Sequence, residues 1–304
     1  MRGRWYVFAA AVLWSTSGVL SKTLELDAMT IAFYRGLFAG LLLLPFIPRR
    51  AWAPRPALVP MGVAFGATVG TYIASVKMTT SANAIFLQCT SILWVVPLSA
   101  IFLGERPDGR ARVSIAIAMA GIALIVGWGY DGRPEEWKGI ALGLASGLMY
   151  AAISVGLRGL RGLDPIWLSA SLNLLGTAAL GLWAIASGQG IGKPTVPQML
   201  VLAAFGGLQM AIPYVLYARG LREIAAPEAG LIGLIEPILN PIWVVLFVHE
   251  WPARATLLGG GFLLAGLAYR YLPRRLVPPS RPIPLESGIR GLPPETCQQV
   301  PRNL

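Results

Sequence analysis

The stretch SANAIFLQCTSILWVVPLSAIFL, residues 81–103, decides the fold class of this chain of 304 residues. It contains no acidic, basic or histidine side chain over its whole length. A helix of about 20 apolar residues spans the hydrocarbon core of a bilayer and satisfies its own backbone polar groups. The segment therefore predicts a membrane-spanning helix.

The composition of the whole chain agrees with this prediction. Hydrophobic residues make up 55% and charged residues 13% of the chain, whereas soluble proteins carry about 25% charged residues. So few charged groups cannot cover the surface of a water-soluble fold. The net charge of +11 would suggest nucleic acid in a soluble domain, but the placement of the charges indicates membrane orientation. We expect an all-α membrane protein with no nucleic-acid partner.

Polar, glycine and proline breaks divide residues 5–272 into ten apolar runs. Arg2 and Arg4 before the first run imitate a signal peptide, but similar runs follow, so we expect a retained first span. Residues 273–304, rich in proline and arginine, are expected to form a disordered cytoplasmic tail. The ten predicted transmembrane helices are 5–22, 30–47, 57–77, 81–103, 111–128, 138–158, 165–187, 196–219, 226–248 and 255–272.

The positions of lysine and arginine test this topology independently of hydropathy. If the ten spans alternate across the membrane, eighteen basic residues fall on the side of the N-terminus and six on the other side. The remaining basic residue, Arg35, is the one that lies within a span away from its ends. The asymmetry predicts that both termini are cytoplasmic, and it favours ten spans because one span more or fewer would scramble it. We expect a multi-pass protein of a bacterial inner membrane.

The second half of the chain repeats features of the first. Shifted by 145 residues, residues 72–123 align with 217–268 without a gap. The strongest match is a pair of Glu-x-Pro turns, at 105–107 and 250–252. A repeat with an odd number of spans must enter the membrane in the opposite orientation.

We therefore predict two inverted five-helix repeats, residues 1–133 and 134–272. Many secondary transporters are built in this way, with the substrate site at the repeat interface near the midplane. The same architecture predicts a solvent-reachable pocket between the two bundles.

A set of short motifs occurs in order along residues 5–272: Trp14-Ser15 with Lys22, Phe33-Tyr34-Arg35-Gly36, Gly104-Glu105-Arg106-Pro107, Glu236-Pro237 and Glu250-Trp251-Pro252. With this set the chain resembles the drug/metabolite transporter superfamily, in its ten-span type built from two EamA-like repeats. The placement of tryptophan and tyrosine looks most like the aromatic amino-acid exporters. Three departures stand out: Ser91-Ile92 where a first-repeat Glu-Pro would fall, His249 in place of glycine, and no counterpart to Arg35 in the seventh span.

The resemblance implies export of amino acids, with apolar or aromatic side chains preferred, by alternating access. It implies no cofactor, a small-molecule substrate and the lipid bilayer as partners, and a monomer or weak homo-oligomer. The alternatives are export of another small metabolite or a lipophilic cationic drug, and a membrane component that transports nothing.

Inserting a charged side chain at the centre of a membrane helix costs about 2.5 to 3.5 kcal/mol of free energy. Glu236 precedes Pro237, and Pro241 follows one turn later, so both prolines free backbone carbonyls. Glu236 either receives an amino group or a proton, or it is a neutral packing device. Arg35 either snorkels to the interface or has a structural role, which together we favour, or it meets an anion in a cavity.

Polar and aromatic side chains inside other spans complete the candidate site. One helix face carries a polar stripe of Thr68, Thr71, Tyr72 and Ser75. The stripe either faces protein or water instead of lipid, or it holds neighbouring helices together by hydrogen bonds. Central tryptophans and tyrosines either wall a cavity or fill space. We predict substrate binding by Trp14, Tyr72, Gln88, Ser91, Tyr150, Tyr214, Glu236, Asn240 and Trp243.

The sequence gives no indication of enzymatic chemistry. His249 is the single histidine, so a zinc-protease motif cannot be completed, and no Walker loop is visible. The two cysteines, Cys89 and Cys297, are expected to be free thiols, and no metal site is predicted.

Overall fold

A computed structural model describes residues 2–104, 109–128, 134–160, 162–224 and 226–272. Every regular element in these ranges is helical, which confirms the predicted all-α class for them. The predicted tail and the turn at 105–107 lie outside the described residues. The α-helices are α1 (Arg2–Trp14), α2 (Ser17–Thr23), α3 (Ala28–Leu43), α4 (Leu58–Met78), α5 (Ser81–Gln88), α6 (Ser91–Leu103), α7 (Gly109–Trp128), α8 (Pro134–Gly156), α9 (Pro165–Ala186), α10 (Val196–Ala204), α11 (Ile212–Gly220), α12 (Ala226–Gly233), α13 (Ile235–Val248) and α14 (Arg254–Tyr271).

Eight helical segments in the described ranges are long and apolar enough to cross a membrane. The first predicted span is outside this set, since Ser15, Thr16, Ser17 and Lys22 lower its hydropathy. The last, α14, contains several glycines and an arginine near each end, which lower its hydropathy. The membrane fold is thus supported, while the count of ten spans stays a prediction. The eight segments are Ala28–Phe46, Leu58–Met78, Ser81–Leu103, Gly109–Trp128, Glu135–Gly156, Pro165–Ala186, Val196–Gly220 and Glu228–Val248.

Three of the predicted spans are interrupted near their middle, at 15–16, at 89–90 and at Leu234. In the first two breaks a hydroxyl bonds the carbonyl three residues earlier: Ser15 Oγ to Val12 O at 2.6 Å and Thr90 Oγ1 to Leu87 O at 2.6 Å. Such bonds compete with the helical ladder. The third break follows from Pro237, which has no N–H and clashes with the carbonyl four residues before it.

The predicted span at 196–219 is not broken, but its helix type changes along its length. Between α10 and α11 the backbone forms a π-helix, Phe205–Ala211. Wide turns of this kind are uncommon and occur frequently at functional sites. The segment packs against α3 so closely that a Cβ on Gly206 would lie 2.7 Å from Arg35 O.

Element ends recur at the offset of 145 residues. Helix α5, shifted by 145, coincides with α12 at both ends, and α6 and α13 end at equivalent positions. The starts of α7 and α14 correspond in the same way. The residues that follow α6 and α13 are Gly104 and His249, and both are left-handed, with φ of 66° and 58°.

We expect His249→Gly to stabilise the protein by about 1 kcal/mol, because a side chain in the left-handed region costs roughly that amount. The matched change in the other half, Gly104→Ala, should destabilise it for the same reason. Thermal unfolding of the purified variants measures both. Shifts of the same sign would contradict this explanation.

Glycines allow the closest helix crossings. A Cβ on Gly66 of α4 would lie 2.5 Å from Gly176 O of α9, and one on Gly121 of α7 would lie 2.5 Å from Gly259 O of α14. In α8, Gly147 approaches Leu87 O and the Thr90 side chain in the same way. Small residues at such crossings are a general device of membrane helices.

Candidate functional site

Buried hydrogen bonds join four of the predicted spans near the centre of the bundle. Tyr72 of α4 shares a hydrogen bond of 3.0 Å with Ser17 of α2. Asn240 of α13 donates to Ser17 Oγ at 3.2 Å and accepts from Ser81 Oγ of α5 at 2.8 Å. Gly18 makes this approach possible, because a Cβ there would lie 2.7 Å from Asn240 Oδ1.

Aromatic side chains surround the break between α1 and α2. The Trp14 ring packs edge-on against the Tyr214 ring, with centroids 5.3 Å apart. The backbone carbonyl of Trp14 accepts a hydrogen bond from Gln209 Nε2 at 3.2 Å. Trp243 donates from Nε1 to Ser15 Oγ at 2.9 Å. Each of these contacts joins the first half of the chain to the second.

Glu236 lies among these groups. Its side chain is half-buried, one residue inside α13, and no hydrogen bond or ion pair of its carboxylate is found in the described ranges. Residues from five other predicted spans interact with it electrostatically, which places it centrally in the bundle: Arg35, Tyr72, Cys89, Tyr150 and Tyr214.

Three predicted site residues remain: Gln88, Ser91 and Tyr150. Gln88 ends α5 and donates to Ser146 Oγ of α8 at 3.0 Å, so its amide already has a protein partner. Ser91, half-buried, begins α6 at the position that corresponds to Glu236. Tyr150 is 47% exposed, although its electrostatic neighbours come from spans in the second half of the chain.

The predicted snorkelling of Arg35 is wrong. Its side chain is only 4% exposed, and its Cζ lies 4.9 Å from the centre of the Phe205 ring. Helix α3 begins at Ala28, which puts Arg35 about 10 Å along the helix axis at 1.5 Å per residue. The Phe205 contact comes from the π-helix, a packing partner that hydropathy cannot reveal.

Charged side chains at one end of the bundle make contacts between neighbouring helices. Lys22 Nζ contacts Glu250 Oε2 at 2.6 Å and donates to Thr79 O at 2.8 Å. Glu250 Oε1 accepts from the backbone N–H of Ser81 at 2.8 Å. Lys77 donates to Leu24 O at 2.6 Å. Glu250 thus connects the segment between α13 and α14 to α2 and α5.

The opposite end of the bundle is more open. There Arg4 pairs with Glu228, both of them solvent-exposed. Tyr150 at the centre is 47% exposed, and Tyr271, the last residue of α14, is 36% exposed. Side chains near the Tyr271 end are thus more exposed than the Lys22–Glu250 pair, whose side chains are 16% and 23% exposed.

Outside this centre, the described residues offer little other chemistry. They contain no group of three or more His, Cys, Asp or Glu side chains that could hold a metal ion. Cys89 is a free thiol. A separate cavity of 230 Å³ contains none of the predicted site residues; it is lined by Pro48, Asp164, Pro165, Ile166, Val215, Ala218, Arg219 and Arg222.

Comparison with known proteins agrees with this architecture. The model of the EamA-like transporter family matches twice, at residues 1–127 and 137–271. An uncharacterized transporter of Archaeoglobus fulgidus is 29% identical over 86% of this chain and 93% of its own length. The uncharacterized inner membrane transporter YicL of Salmonella typhimurium is 24% identical, over 81% of this chain and 87% of its own.

Two further comparisons give the same picture. The uncharacterized transporter YwfM of Bacillus subtilis is 24% identical over 86% of this chain and 91% of its own. A solved crystal structure has a similar fold over 90% of this chain and 99% of its own, with a TM-score of 0.64 and 20% identity. At that identity the likeness concerns the fold alone.

Proposed function

This chain belongs to the EamA-like transporter family and is a multi-pass membrane transporter; from that premise we propose that it exports amino acids with apolar or aromatic side chains. The proposal has the protein in a bacterial inner membrane with both termini in the cytoplasm. The observation that carries it is the site around Glu236, formed by six predicted spans from both halves of the chain.

The proposed architecture is ten spans in two inverted repeats. The coincidence of α5 with α12 at an offset of 145 residues supports it. So do the two separate matches to one family model. In such an arrangement the interrupted helices of the two halves meet at the midplane, where substrate sites of secondary transporters lie.

The proposed mechanism is alternating access. In the proposed state, the contacts of Glu250 with Lys22 and Ser81 close one end and the Tyr271 end is open; the exposure of Tyr150 supports this assignment. With cytoplasmic termini, this state faces the cytoplasm and accepts substrate for export. Release then requires the Glu250 contacts to open while the Tyr271 end closes.

The site also fits the proposed substrate class. Trp14, Tyr214 and Trp243 offer aromatic faces to a flat apolar side chain. The Glu236 carboxylate faces the same region and carries the charge that a substrate ammonium requires. A lipophilic cation would use the same carboxylate, which makes it the alternative substrate class.

Reconstitution into proteoliposomes tests the proposal. Vesicles loaded with L-phenylalanine or L-leucine should exchange it for labelled amino acid, with and without a pH gradient, well above protein-free vesicles. No exchange with any amino acid across a full panel would overturn the proposal. Transport of a lipophilic amine in its place would assign the alternative substrate class.

A further inference from the structure

Arg35 carries a buried charge that the protein leaves unsatisfied. Its side chain is 4% exposed, and its Nε and Nη1 atoms have no hydrogen-bond partner in the described part of the chain. Burying an ionised group without a partner is costly, and proteins normally pair such groups. A persistent unpaired guanidinium therefore points to a partner that is not part of the protein.

The surroundings of Arg35 hold it in one orientation. Phe205 stacks at 4.9 Å from Cζ, and a guanidinium on an aromatic face keeps its edge free for planar, two-bonded partners. Four residues further along the same π-helix, Gln209 is also buried, and its Oε1 has no partner. The π-helix thus carries both the platform under Arg35 and a second unsatisfied group.

Three titratable side chains face Arg35 from other helices. Tyr72 of α4, Tyr214 of α11 and Glu236 of α13 all interact with it electrostatically. Glu236 is the acidic member, yet no ion pair joins its carboxylate to the guanidinium in the described ranges. The site therefore presents one positive and one negative group that do not neutralise each other directly.

We propose that Arg35 binds the carboxylate of the transported substrate, while Glu236 faces its ammonium group. The proposal rests on the proposed function and narrows its substrate class to molecules with a free carboxylate, α-amino acids among them. Arg35 has donors at Nε and at Nη1 that are unpartnered among the described residues, and a carboxylate that approaches either side of the guanidinium accepts a charge-assisted hydrogen bond from it.

The two amides among the predicted substrate-binding residues already have protein partners. Asn240 has Ser17 and Ser81 as partners, and Gln88 has Ser146. Arg35 loses nothing on binding a carboxylate and gains the partner that its burial demands.

A ligand series on the wild-type protein tests the proposal without any substitution. L-phenylalanine and 3-phenylpropionate have a carboxylate, whereas L-phenylalaninamide and 2-phenylethylamine have none. We expect the first two to raise the thermal unfolding temperature of the purified protein and to compete for exchange, and the amide to bind at least tenfold more weakly than L-phenylalanine. Equal binding of L-phenylalanine and its amide would overturn the proposal.

Variants identify the residue. Arg35→Gln should lose the tenfold preference for L-phenylalanine over its amide, and Arg35→Lys should keep part of it. Arg254→Gln, at an exposed arginine that begins α14, should keep all of it. We expect Arg35→Gln to unfold at or above the wild-type temperature, because it removes an unpaired buried charge. A large loss of stability with the ligand preference unchanged would show a structural role.

The two proposals fail in different ways. If wild-type vesicles exchange no amino acid, the proposed function fails. Stabilisation of the wild type by 3-phenylpropionate, absent in Arg35→Gln, would still support the carboxylate site. If amino acids are exchanged but Arg35→Gln discriminates between acid and amide as the wild type does, the function stands and the assignment of Arg35 is wrong.

Discussion

Replacing Glu236 by alanine is expected to lower amino-acid exchange about a hundredfold, the order of effect that follows when one member of a buried charged contact is removed. The reason is its position: five predicted spans besides its own contribute groups that interact with it. Alanine would leave a substrate ammonium without an acceptor and Arg35 without its acidic neighbour. Initial exchange rates in proteoliposomes measure the effect.

Glu236→Gln separates the substrate classes. Glutamine keeps the size and one acceptor oxygen, so a zwitterion should retain about a tenth of its exchange rate, as expected for a neutral in place of a charged hydrogen bond. A lipophilic cation should lose transport entirely, since nothing else in the site carries negative charge. Glu135→Gln, at an exposed acid in the first turn of α8, serves as the matched control. If Glu236→Ala exchanges amino acids at the wild-type rate, Glu236 is not part of the substrate site.

Glu250→Ala is expected to open the end of the bundle that carries Glu250. The substitution removes the contact with Lys22 and the acceptor for the Ser81 N–H. Both side chains of the ion pair are largely buried. Losing one partner should therefore shift the equilibrium between closed and open forms of this end about thirtyfold, or ~2 kcal/mol.

Cys89 is a natural reporter for this opening, because it lies at the break between α5 and α6 beside Glu236. With Cys297 replaced by serine, a membrane-impermeant thiol reagent added on the Glu250 side should label Cys89 about thirtyfold faster in Glu250→Ala than in the parent. Glu228→Ala breaks the exposed pair with Arg4 at the opposite end and should leave this rate unchanged. Equal rates in all three proteins would show that Glu250 does not hold this end closed.

Hydropathy located the helices closely, because membrane burial acts on each segment separately. The run predicted at 81–103 has the same ends as the observed apolar segment Ser81–Leu103. The run predicted at 57–77 is shifted by one residue at each end from Leu58–Met78. The breaks were not predicted. A hydroxyl such as that of Thr90 bonds its own backbone or a neighbouring helix depending on the surroundings, and those depend on the packing of the other spans.

The helical character, the approximate helix ends and the 145-residue repeat follow from the sequence alone, because each depends on local composition or spacing. The choice of Glu236 as a candidate site residue also came from the sequence, because it is an acid inside an apolar run. The tertiary structure decided which polar groups are free. It engages Asn240 and Gln88 with hydroxyl partners from other helices. It leaves Nε and Nη1 of Arg35, buried over Phe205, without a hydrogen-bond partner among the residues that the structure describes. Hydrogen bonds between distant segments depend on how helices cross, and no property of a single segment fixes that.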